Sequence, residues 1–169
     1  MRKFIVFVII VIFSATLYKL NEYKNINYVK ENYIKDKLNV NILTIDKLNL
    51  KEIVKKQSIK SKNIKEVVMF EEFGRPDKKN VNTILGAHSG YGKKAKFKDL
   101  NKLSLNDEAK FYYKEKEYIY KVIEKFLVHQ KDFTILNNVK DKTTLTLLTC
   151  NSFNNNYRLI VVLELIDFA

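Results

Sequence analysis

The sequence predicts a mainly β domain, a barrel or sandwich, carried behind an N-terminal membrane anchor and a helical stalk. The first observation is a series of short apolar or alternating runs that recurs from residue 40 to the C-terminus, the pattern of seven or eight strands in one domain. A second is the uncharged segment Phe4 to Tyr18, which follows Met1-Arg-Lys and stops at Lys19. Third, the chain left after that segment and the stretch that follows it, about 130 residues from Val40 on, is one ordinary domain with enough length to bury a core.

Taken in order, residues 1–19 read as an uncleaved signal anchor. The apolar stretch is shorter than the roughly 20 residues a comfortable spanning helix needs, so a cleaved signal peptide competes with it. Ser14 and Ala15 lie inside the apolar core, no small-x-small site follows it, and flanking lysines can snorkel to lengthen the span. Arg2 and Lys3 ahead of the segment place the N-terminus inside and the domain outside the membrane. Residues 20–39 read as the stalk, because Leu20, Tyr23, Ile26, Tyr33 and Leu38 recur at helical spacing among polar residues.

The domain occupies residues 40–169. Strands are expected over Val40 to Ile45, Leu48 to Val54, Val81 to His88, Glu108 to Tyr113, Tyr118 to Val128, Thr144 to Cys150 and Tyr157 to Ile166. Asn63 to Glu72 scores as the domain's helix, closed by Gly74 and Pro76, and Ala95 to Leu103 as a short helical turn on a long loop. Asn154-Asn-Asn156 marks a loop.

The formal charge of +12 is almost wholly lysine, since the arginines are Arg2, Arg75 and Arg158. Nucleic-acid readers lean on arginine forks and interleaved aromatics, whereas these lysines are scattered among acids and asparagines. The charge is a solvated surface, compatible with an anionic envelope, and nucleic acid is excluded as a partner.

Cys150 is the only cysteine. Outside the cell a lone thiol cannot take the usual role of an internal disulfide, which leaves a reactive thiol or a small buried hydrophobe. A thiol of ordinary pKa is only a few per cent thiolate at neutral pH, so a reactive one needs a proton partner and a charge stabiliser. His88 ends an expected strand beside the loop Ser89-Gly-Tyr-Gly92, a placement suited to catalysis. His129, the other histidine, follows Phe126-Leu-Val128 with no neighbouring constellation and reads as a surface residue. Arg158 lies eight positions after Cys150, so a hairpin closed by Asn151 to Asn156 returns it to the thiol. It is either a fork of donors that lysine cannot imitate or an exposed strand-end cation.

The anchor, a strand ending in Ala87-His88, the motif Thr146-Leu-Leu-Thr-Cys150 and Arg158 on the following strand together resemble the sortases, the Gram-positive cysteine transpeptidases. Thr44-Ile-Asp-Lys-Leu48, Phe97-Lys-Asp-Leu-Asn-Lys-Leu103 and Asn106-Asp-Glu108 extend the likeness along most of the chain. Asp46 stands where many members have proline, and Ser89 follows the histidine where many carry arginine or asparagine. With no apolar helix after Ile166 and no large insertion between Val128 and Thr144, a compact housekeeping-like or class D-like member is expected.

The resemblance implies an eight-stranded barrel with Cys150 as nucleophile, His88 as general acid and base, and Arg158 holding the substrate carbonyl. It implies cleavage of an LPxTG-like sorting signal through a thioester and transfer to an amine of a cell-wall precursor. It requires no metal or organic cofactor; because some relatives bind calcium, Glu71, Glu72 and Glu108 are the candidate ligands. Other classes remain: a secreted cysteine hydrolase with water as acceptor, or an anchored binding module with an unreactive thiol. An L,D-transpeptidase is disfavoured, because Leu148-Thr149 stand before Cys150 in place of that family's His-Gly.

Overall fold

A computed structural model of the chain describes residues 13–24, 40–61, 64–92, 94–151 and 153–169. The chain forms two units, Met1–Asn39 and Val40–Ala169. In the first, residues 13–24 are helical; most of the expected anchor and stalk lies outside the described residues. Among the described residues no helix is long and apolar enough to cross a membrane.

The described residues of the second unit form eight strands: β1 (Asn41–Ile45), β2 (Leu50–Gln57), β3 (Val67–Phe70), β4 (Asn82–Gly86), β5 (Glu108–Tyr113), β6 (Lys116–His129), β7 (Thr144–Cys150) and β8 (Tyr157–Phe168). They close into a barrel in the order β1-β2-β3-β4-β7-β8-β6-β5. The β2/β3 and β4/β7 pairs are parallel and the remaining pairs antiparallel. Closure leaves no free sheet edge, so the backbone of every strand is paired on both sides.

Alternation along each strand sends one set of side chains inward and the other outward. Leu85 of β4, Leu145 and Leu147 of β7, and Val161 and Leu163 of β8 join the barrel interior with Leu43, Phe111 and Tyr120. Val68, Phe70 and Ile84 form a smaller outer cluster, onto which Ile64, Phe73 and Leu136 pack. The outer cluster forms where connections cross the barrel wall, and the candidate site lies there.

Where a helix is expected over Asn63 to Glu72, the described residues form strand β3 at Val67–Phe70. Val67 to Phe70 are all buried, Val67 and Met69 inward and Val68 and Phe70 outward, between β2 and β4. A strand covered on both faces reads as a continuous apolar run, which periodicity cannot separate from a buried helix; the paired valines carry the β signal. Between β4 and β5, the chain makes turns and a 3-10 segment at Leu100–Lys102, with Phe97, Leu100 and Leu103 in the core.

The threonines of β7 have a structural use. Asn82 Oδ1 accepts hydrogen bonds from the hydroxyls of Thr144 (3.1 Å) and Thr146 (2.8 Å). Its side-chain amide donates to the Asn137 carbonyl at 3.3 Å, and its backbone N–H to Asn138 Oδ1 at 2.9 Å. Buried polar groups are tolerated when paired in this way. The network also fastens the β6/β7 connection to the barrel wall. Tyr120 is the contrast: it is fully buried and its hydroxyl has no hydrogen-bond partner among the described residues. Burial raises its pKa and keeps it protonated. Tyr120→Phe is expected to stabilise the domain by about 1 kcal/mol, since an unmade buried hydrogen bond is a net cost; a denaturant melt reads this as a higher midpoint at unchanged slope.

Candidate active site

Cys150 and Arg158 face each other across the β7/β8 hairpin. The N–H of Asn151 donates to the Tyr157 carbonyl at 3.0 Å, so that next pair is the hydrogen-bonded one. Cys150 and Arg158 therefore form a non-hydrogen-bonded pair, the arrangement that brings side chains on one face closest. Leu147 and Leu159 belong with the interior, which leaves Cys150 and Arg158 on the outer face, both half-buried.

His88 reaches the same face from the other side of β7. Strand β4 runs parallel to β7 with Asn82 opposite Thr144 and Gly86 opposite Leu148; two further residues at this offset bring His88 level with Cys150. Three contacts fix the backbone there. Ala87 N–H donates to the Leu148 carbonyl (3.3 Å), the Thr149 hydroxyl donates to the Ala87 carbonyl (2.7 Å), and Phe97 N–H donates to the His88 carbonyl (3.0 Å). The His88 side chain itself is exposed. Gly86 is required beneath it, because a β-carbon there would come within 2.7 Å of the Phe70 ring, which forms part of the groove floor.

The three side chains border one groove of about 330 Å³, walled by Ile59, Ile64, Phe133 and Leu136. Its rims are tied by carboxylates. Glu72 accepts from the Ser58 hydroxyl and the Ile59 N–H, and both interactions hold its carboxyl below the usual range. Asp132 accepts from the Thr134 hydroxyl and N–H, with the same effect on its pKa. Cys150 also borders a second groove of about 450 Å³, lined by Ser89, Tyr91, Lys98, Asn151 and Phe153 among others.

The arrangement is a thiol and a guanidinium paired across β7 and β8, with an imidazole level with them just past the end of β4, and the family model for the sortase domain matches residues 43–166. The chain belongs to the sortase family. Sortase C1 of Streptococcus agalactiae is 26% identical, with a TM-score of 0.68 over 75% of this chain and 66% of that one. A Clostridium perfringens sortase C, solved with the C-terminal cell wall sorting motif, is 27% identical, with a TM-score of 0.65 over 75% of this chain and 69% of that one. A lid mutant of Corynebacterium diphtheriae sortase A shares the fold at 17% identity, with a TM-score of 0.70 over 76% of this chain and 70% of that one. No curated protein matches the sequence.

The remaining candidates in this sortase lie elsewhere. His129 is exposed at the end of β6, edge-on to Tyr157 at 5.7 Å, and Val128 and Gln130 on either side of it point into the groove while it does not. Glu72 is committed to Ser58 and Ile59, and Glu108 lies 4.0 Å from Lys121. Among the described residues no three acidic, histidine or cysteine side chains gather into a cation site. Three features of the site were not found from sequence. Gln130 touches Arg158, Phe97 ties the His88 backbone, and Phe133 and Leu136 wall the groove. Phe97 opens the stretch Phe97 to Leu103 that resembles the family, but only the fold gives it this contact.

Proposed function

We propose that this sortase is a cysteine transpeptidase, held at the membrane by residues 1–19, that transfers proteins bearing an LPxTG-like signal to an amine of a cell-wall precursor. The observation that supports this reading most is the Cys150–Arg158 cross-strand pair with His88 level beside it, opening on an apolar-walled groove. Such a groove suits the apolar residues of an extended peptide and presents its carbonyl to the thiol.

In the proposed reaction the Cys150 thiolate attacks the threonine carbonyl carbon. The oxyanion that forms is held by the Arg158 guanidinium. As the carbon–nitrogen bond breaks, His88 gives its proton to the departing glycine amine and a thioester remains. An incoming amine then attacks the thioester, His88 takes the amine's proton, and the thiolate leaves. The second groove beside Cys150 gives that amine an approach separate from the peptide's.

Intact-mass spectrometry of the domain, incubated with a panel of sorting peptides and an amine, tests the proposal. An acyl mass on Cys150 that the amine removes as a linked product is expected; release only to water would instead identify a hydrolase. Arg158→Lys is expected to slow acylation by about 10²-fold, since a point charge does not reproduce the fork that serves the oxyanion. Stopped-flow acylation rates check this, and a fully active variant would remove the fork-specific role.

A further inference from the structure

We propose that Gln130 is a positioning residue that holds the Arg158 guanidinium over the groove without neutralising it; the proposal rests on the transpeptidase reading above. Arg158 Nη2 donates to Gln130 Oε1 at 3.1 Å, and Nη1 donates to the carbonyls of Asn155 (2.7 Å) and Tyr157 (3.1 Å). Backbone oxygens thus hold one end of the fork and Gln130 the other.

Gln130 is itself fixed. Its N–H donates to the Asn156 carbonyl at 2.7 Å, extending the β6/β8 ladder by one rung past His129 and Tyr157. Its Nε2 donates to Asn156 Oδ1 at 3.3 Å. The amide orientation follows from chemistry: reversed, it would set donors against guanidinium donors and oxygen against oxygen. Asn156 is held in turn by its N–H donating to Asn154 Oδ1 at 2.9 Å. The asparagine cluster of the β7/β8 loop therefore carries a chain of contacts that ends on the guanidinium.

Among the described residues the three acceptors of Arg158 are all neutral oxygens. Among the described residues, none of the ion pairs includes Arg158. Asp132 borders the same groove, but its carboxylate accepts from Thr134. The guanidinium is consequently oriented while its full charge stays available to an oxyanion, which is the condition for electrostatic preorganisation. A carboxylate at position 130 would orient it as well but oppose the developing charge.

The test compares Gln130→Ala and Gln130→Glu, each alone and in an Arg158→Ala background, by acylation kinetics with the sorting-peptide panel and by ¹⁵N relaxation of the Arg158 side chain. Gln130→Ala is expected to lower the acylation kcat by about 10- to 100-fold with KM little changed, as misplacement of a reacting group does. Iodoacetamide should still alkylate Cys150 at the wild-type rate, and the Arg158 side chain should become more mobile. Gln130→Glu is expected to keep Arg158 ordered and yet lose kcat. In the Arg158→Ala background neither change should cost anything further, because the two residues act as one unit. An equal loss in that background, or unchanged Arg158 mobility in Gln130→Ala, would overturn the proposal. Failure of the wild-type enzyme to acylate any peptide would count against the transpeptidase reading instead, and the relaxation data would still decide whether Gln130 holds Arg158.

Discussion

Cys150→Ala is expected to abolish the acyl adduct and to reduce peptide cleavage by about 10⁶-fold, the scale on which hydrolases lose activity with their nucleophile. No other cysteine exists to take over the covalent step. Cys150 is half-buried at the last position of β7, outside the barrel interior, and the contacts that seat its neighbours come from the Thr149 hydroxyl and the Leu148 carbonyl. Removing the sulfur should therefore leave the fold intact, and an unchanged thermal midpoint would assign the loss to chemistry. Peptide should still bind the groove of Cys150→Ala, since its apolar walls are untouched. The informative measurement is peptide affinity by fluorescence polarisation alongside intact mass: retained binding with no adduct is the expected pair. Cleavage near the wild-type rate would sink the covalent mechanism.

Short-range interactions are legible in the sequence, and long-range ones are not. Strands β5 and β7 were delimited to the residue, because alternation and a threonine-rich apolar run are local signals. The placement of Arg158 opposite Cys150 was also legible, since a hairpin fixes register within a few residues. By contrast, β3 was misread as a helix because its burial on both faces is a property of the closed barrel. The seating of His88 rests on parallel pairing between β4 and β7, two strands far apart in sequence, and no local pattern encodes that offset. The motif Thr-Leu-x-Thr-Cys pointed to the family, but what its threonines do emerged only in the fold. Thr146 satisfies Asn82, and Thr149 holds the carbonyl that precedes His88. Gln130 is silent in the sequence for a similar reason, because a lone glutamine beside a surface histidine carries no pattern until Arg158 reaches it in the fold.

His88→Ala is expected to lower transpeptidation of an amide-linked sorting peptide by about 10³-fold, within the range of a positioned acid and base. The backbone at this position is held by contacts that do not involve the imidazole, and the side chain is exposed, so the variant should fold normally. In the proposed mechanism, what it loses is the proton for the leaving amine. An amine leaves as a neutral molecule only if protonated, whereas a nitrophenolate leaves without help. The same variant should therefore acylate itself on an activated ester of the sorting peptide with only a small loss, and then resolve the thioester slowly when the amine is the acceptor. Single-turnover kinetics on the amide and the ester separate these steps. An equally large loss on both substrates would move the role of His88 from protonating the leaving group to raising the reactivity of the Cys150 thiol.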